Sequence, residues 1–182
     1  DFSERLDEVL RKVRTDIKKL VEKVRRVVED SRRRVEKLVE DVRRSSEEVL
    51  KTVKELLDRG LIEERVVEDV KRIIEETKEK LDRALEKAER DLRDSERHLD
   101  EVLKEIEKII EEIREEVERL GGTDEVVRRL EKRLRDALKE AEDKVRRDEE
   151  RNREVLERLE KIVRDLHREN EKAVEDVADR AR

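Results

Sequence analysis

A chain of 182 residues with 58% charged side chains, a net charge of −6, one aromatic residue (Phe2) and no Pro, Cys, Met, Trp or Tyr excludes much before any motif is sought. Without cysteine there is no disulfide framework, thiolate metal site or cysteine nucleophile, and an acidic balance with no aromatic stacking platform disfavours a nucleic-acid partner. No apolar run approaches the ~18–20 residues of a membrane span and no signal-peptide pattern opens the sequence, so the chain is expected to be soluble, with no membrane partner.

With only 33% hydrophobic residues, disorder is the first alternative to weigh. Two features oppose it: the charge signs nearly cancel, and the apolar residues are strictly periodic, the mark of coiled coils and long helices. Gly60, Gly121 and Gly122 are the only glycines and divide the chain into near-equal thirds. Glycine just past a periodic segment is a helix stop, because it accepts the left-handed conformation at low cost. The first helix is therefore expected over about Ser3–Asp58, the second over Ile62–Leu120 and the third over Asp124–Ala181. Ser3 and Thr123 are the expected N-caps, with Glu4, Asp124 and Glu125 placing negative charge in first turns. Each helix would be roughly 85 Å long at 1.5 Å per residue.

The period of the pattern sets the expected packing. Leu6, Val24 and Val42 recur at eighteen residues in the first helix, as do Val66, Ala84, Val102 and Leu120 in the second, and Val127, Val145, Val163 and Ala181 in the third. Eighteen residues make five turns of an unstrained helix, and this removes the mismatch by which a heptad repeat imposes a supercoil. Nearly straight helices follow. The two short connections force antiparallel neighbours, and each apolar stripe spans about 120° on a wheel, enough to touch two neighbours around a shared core. The expected fold is all-α: a single-domain, antiparallel up-down-up three-helix bundle over residues 1–182.

Some positions on the inward faces are polar. Asp148 stands where the repeat elsewhere has Leu130 and Leu166, and Asp91 where it has Ile73 and Ile109. Folding about the two loops brings together helix-one and helix-two residues whose numbers sum to about 120, and helix-two and helix-three residues whose numbers sum to about 243, on equal rise per residue. A central layer of Ser31, Asp91, Ser95, Asp148 and Asn152 results, with an outer layer of Ser45, Ser46, Thr77 and Asn170. A buried amide or hydroxyl without a partner costs about 1–3 kcal/mol and a carboxylate more, so both layers are expected to be hydrogen-bond networks. Straight helices with near-identical repeats can slide past one another, and a slip would set these groups against aliphatics. Their expected role is to fix register.

A pair of carboxylates such as Asp91 and Asp148 is also the raw material of acid/base chemistry or cation binding. No cleft, glycine loop or nucleophile–base pair is expected beside them, so neither an enzyme nor a small-molecule substrate is expected; an enzyme would show itself as a pocket around Asp91 and Asp148. His98 and His167 lie at stripe edges, separated by roughly 30 Å on the same rise, and neither has the Glu-x-x-His spacing of helical di-metal centres. No metal or cofactor is expected, although His98 falls near the level of Asp148, at the edge of the central layer. Residues 1–60 carry 18 basic and 15 acidic side chains, and residues 61–120 carry 14 and 22. An acidic middle helix beside a more basic first one favours the intended neighbours. The run of arginines at 32–34 reads as solvated face.

The saturated surface of EEIREEVERLGG, the minimal loops DRGL and LGGTD and the uniform eighteen-residue pattern together resemble a computationally designed, parametrically generated helical bundle; spectrin-like repeats share only the up-down-up path. The resemblance implies a structural scaffold with no natural biochemical activity, whose buried polar networks specify structure and which requires no partner. The alternative is a helix-binding or oligomerisation module that accepts a partner helix or a second copy of itself. That reading needs apolar residues exposed beyond the arc, for which Val9, Val27, Leu50 and Leu57 are the candidates.

Overall fold

The computed structural model describes residues 2–181, and among them there is no strand. Helix α1 runs Phe2–Asp58, α2 Glu64–Leu120 and α3 Asp124–Arg180, each 57 residues long. The three pack as an all-α bundle. Phe2 opens α1, so Ser3 lies within the first turn and is not its N-cap.

The loops show why the helices stop where they do. Gly60 has φ 71° and Gly121 φ 77°, the left-handed region that costs a residue with Cβ about 1–2 kcal/mol. After α1, Gly60 N donates to Leu57 O and Leu61 N to Leu56 O, the paired bonds of a Schellman ending. After α2, Gly121 N donates alone to Val117 O, the simpler left-handed ending. Helix α2 begins two residues later than the periodicity suggests, because the Schellman turn carries Leu61 and Ile62 outside helical geometry. Ile62 and Val67 then belong to one buried apolar cluster, flanking Glu63 at the positions of a hydrophobic staple. Thr123 is an N-cap, its Oγ1 accepting from Val126 N at 3.4 Å. Gly122 has a different reason to be glycine: a Cβ there would lie 2.6 Å from Cδ1 of Phe2, whose ring covers this loop.

The chain forms two compact units, each containing a part of every helix. The first comprises residues 1–29 and 92–153, the second residues 30–91 and 154–182. In the first, Leu10, Ile17, Val21, Val24, Leu99, Ile110, Ile113 and Val145 are almost wholly buried in one cluster. Arg14 Nε donates to Glu107 at 2.6 Å and Arg25 Nε to Glu96 at 2.8 Å, pairs whose numbers each sum to 121. That agrees with the register expected of antiparallel α1 and α2. Arg129 and Arg133 of α3 reach Glu116 and Glu112 of α2. In the second unit Val35, Val39, Val42, Leu81, Leu159, Val163 and Leu166 form one core, and Val49, Val53, Val67, Val70 and Val177 with Ile62 and Ile74 another.

Candidate functional site

Among its described residues the first unit contains one buried interhelical polar chain. Asp148 of α3 is 3% exposed, and its Oδ2 accepts from Ser95 Oγ of α2 at 2.8 Å. The other oxygen, Oδ1, lies 3.4 Å from Nδ1 of His98, one turn along α2 from Ser95. Ser95 and Asp148 are the one cross-helix pair of the expected central layer joined by a hydrogen bond, and their numbers sum to the expected 243. Asn152, also in this unit, is buried without a hydrogen-bond partner among the described residues.

Ser31 and Asp91 fall in the second unit and depart from the expected layer. Both are half-buried, and Ser31 Oγ accepts from Arg34 on its own helix at 3.2 Å. Asp91 has no hydrogen-bond partner among the described residues. Its place in the repeat explains this: Ile73, eighteen residues earlier, is 39% exposed, and Ile109 is only half-buried, so the position lies at the edge of the stripe.

In the second unit the outer layer forms around Asn170, which is 0% exposed. Its Nδ2 donates to Ser46 Oγ at 2.9 Å, to Ser45 Oγ at 3.0 Å and, more weakly, to Val42 O at 3.4 Å. Ser45 Oγ donates in turn to Val42 O at 2.9 Å, which leaves its lone pairs free to accept from the amide. Asn170 Oδ1 is buried and unpaired. Thr77, from the same expected layer, is 2% exposed but joins no hydrogen bond among the described residues. The structure thus links α1 to α3 here and leaves α2 out.

A cleft of about 550 Å³ opens between α2 and α3 beside Asp148. It is lined by His98, Glu101, Val102, Lys104, Glu105, Lys108, Lys144, Arg147, Asp148 and Arg151. A separate small cavity of about 20 Å³ lies between α2 and α3, lined by Val102, Ile106 and Ile109 on one side and Ala137 and Ala141 on the other. Two alanines on the inner face of α3, where Val155 and Leu159 stand eighteen residues later, leave the helices unfilled between them there. The larger cleft departs from the expectation that none lies beside Asp148, because its lining is mostly charged side chains that apolar periodicity leaves out; the alanines mark only the small cavity.

The two histidines differ in their use of ring nitrogens. His98 has a half-exposed side chain, with Nδ1 turned to Asp148 and no partner on Nε2 among the described residues. His167 meets Glu171 through Nε2 at 3.0 Å, while its Nδ1 is buried and unpaired. Among the described residues no group of three or more His, Cys, Asp or Glu is placed to hold a metal ion, and no helix is long and apolar enough to cross a membrane.

On the opposite side of α2, Arg25 of α1 spans Glu96 and Asp100, at 2.8 Å to the first and 2.9 Å to the second. The hydrogen bond to Glu96 holds the guanidinium pKa above its ordinary strongly basic value, against the lowering effect of partial burial. Comparisons with known protein families, curated proteins and solved structures gave no match.

Proposed function

We propose that the chain is a designed structural scaffold, without a dedicated enzymatic activity, whose buried interhelical hydrogen bonds set the register of its helices. The observation that carries this reading is the Ser95–Asp148 bond, a buried carboxylate placed opposite a buried hydroxyl on another helix. Sliding α3 by one turn along α2 would set Asp148 opposite Leu92 or Leu99, both buried, in place of Ser95. The carboxylate would lose its donor inside an apolar layer, at a cost above the ~1–3 kcal/mol of a neutral unpaired group. The Asn170 cluster in the second unit does the same for α1 and α3. A one-turn slip would bring Val42 or Val49 to the place of Ser45 and Ser46.

The alternative reading, a module that binds a partner helix or a second copy, is favoured by one observation. Val9 and Val27 of α1 are 49% and 48% exposed, eighteen residues apart on one face. They lie roughly 27 Å from each other at 1.5 Å per residue, and such isolated apolar residues are ordinary on a protein surface. Leu50 and Leu57 pack against the second unit's core and offer no such surface.

Light scattering during size exclusion, run over a range of concentrations, discriminates the readings. The scaffold elutes at the monomer mass of 22.0 kDa at every concentration. A concentration-dependent mass would favour the oligomerisation module. Replacing both Asp148 and Asn152 with leucine adds the register test: the variant should show mixed species, and one well-defined monomer with unchanged helix pairing would remove the proposed role.

A further inference from the structure

Around the buried carboxylate that the scaffold role uses, the first unit holds two features it does not: an imidazole with one free ring nitrogen and an open cleft in front of it. Asp148 Oδ1 faces His98 Nδ1 at 3.4 Å, and its Oδ2 is held by Ser95 at 2.8 Å. A carboxylate only accepts hydrogen bonds. In the neutral ring, the tautomer that satisfies this contact carries its proton on Nδ1 and leaves the Nε2 lone pair without a partner among the described residues. His98 lines the 550 Å³ cleft, and Lys104, Lys108, Lys144, Arg147 and Arg151 line it too. Glu101 and Glu105 share the lining, so cations outnumber carboxylates there five to three, and the cleft combines a nucleophile, an orienting group and an excess of cations of the kind acyl transfer uses.

We propose that His98 is a nucleophilic catalytic residue for the hydrolysis of small activated aryl esters, and that Asp148 positions its ring. His98 Nε2 attacks the ester carbonyl carbon, forming a C–N bond and placing negative charge on the carbonyl oxygen amid the cleft's lysines and arginines. Collapse of this adduct breaks the ester C–O bond and releases the aryloxide, which leaves an acylated imidazolium with Nδ1–H still facing Asp148. Water then adds to the acyl carbon and the C–N bond breaks. The bonding pair returns to Nε2, and the proton of the attacking water passes to solvent. One ester and one water give one carboxylic acid and one phenol, with no oxidant or reductant. Good leaving groups suit this site, because the departing oxygen leaves as the aryloxide and takes its proton from solvent.

The chain contains two histidines, so it supplies its own control. His167 has Nε2 engaged with Glu171 and its unpaired Nδ1 buried, which leaves it no accessible nucleophilic nitrogen. The test is multiple-turnover hydrolysis of p-nitrophenyl acetate by the full chain and by H98Q, H167Q and D148N, with circular dichroism to verify the fold of each. We expect H98Q to lower kcat/KM at least about tenfold and H167Q to leave it unchanged. Equal rates for wild type and H98Q, or equal losses in H98Q and H167Q, overturn the assignment. The ring-nitrogen NMR of His98 tests the positioning role: in wild type the Nδ1–H form should dominate. D148N should shift the ring toward Nε2–H and slow the reaction severalfold. An unchanged tautomer or an unchanged rate in folded D148N overturns that role. Half-exposed His98 tolerates replacement, so H98Q decides the outcome even where D148N does not fold.

Discussion

Removing Ser95 is predicted to harm the protein more than removing Ser95 and Asp148 together. In S95A the carboxylate of Asp148 remains 3% exposed and loses its 2.8 Å donor, retaining only the 3.4 Å contact with His98. A hydrogen bond to a charged group contributes about 1.5–3 kcal/mol, so S95A should lose about 2 kcal/mol of stability. At roughly 2–4 °C per kcal/mol for a chain of this size, the thermal midpoint should fall by about 4–8 °C. S95A/D148L instead takes away the buried charge and restores the aliphatic side chain that the repeat has at Leu130 and Leu166, each 3% exposed. Replacing a buried polar pair with packed apolar groups is often neutral or stabilising, so the double variant should match or exceed wild type. D148L alone should fall between the two, because an orphaned Ser95 hydroxyl can bond back to a carbonyl of its own helix. Denaturant titration followed by circular dichroism at 222 nm provides the four corners of a double-mutant cycle. Wild-type stability in S95A, or a double variant weaker than S95A, would refute the reasoning.

The glycines of the second loop should separate by mechanism. G121A carries backbone strain at φ 77° with nothing within 4 Å of the new Cβ, and should cost about 1–2 kcal/mol in any background. G122A meets the Phe2 ring, so its smaller cost should vanish in F2A/G122A by the same denaturant assay. Arg25→Ala should cost about 0.5 kcal/mol at low salt and nothing measurable at 1 M salt, because the ion pairs it loses are partly exposed and screened. The Arg25 pKa is raised by folding, so its contribution is fully present below the guanidinium's ordinary value and is lost only as pH rises through the folded one. Titrating alkali up to pH 10 should therefore not alter the difference between wild type and R25A.

Where sequence reading succeeded and where it stopped has a common physical cause. The eighteen-residue repeat set both the faces and the levels, because helical rise is nearly constant. The Arg14–Glu107 and Ser95–Asp148 pairs accordingly lie at the expected sums. A wheel assigns azimuth to within the width of a side chain, and Asp91 and Ser31 were placed inward at angles where the structure has only half-buried positions. Levels also say nothing of hydrogen-bond geometry. Thr77 and Asn152 are as buried as expected, yet they join no hydrogen bond among the described residues, while Asn170 gathers two serines. The start of α2 was misplaced because Ile62 continues the apolar pattern while serving in the turn, where periodicity and local backbone geometry conflict. His98 was legible only as an edge neighbour of the central layer. Its free nitrogen and the cleft it lines depend on where the mostly charged side chains of α2 and α3 point, which apolar patterning does not weigh.

The register claim is tested most directly by a distance measurement across α2 and α3 of the first unit. The chain has no cysteine, so the exposed residues Arg97 and Lys132 can be changed to cysteine and spin-labelled without background. Pulsed electron resonance then reports the distance distribution. With Ser95 and Asp148 intact we predict one narrow population, and in S95A/D148L an additional population displaced by about 5 Å, one helical turn. A single unchanged population in the double variant would contradict the account and assign the register to the loops and aliphatic packing alone.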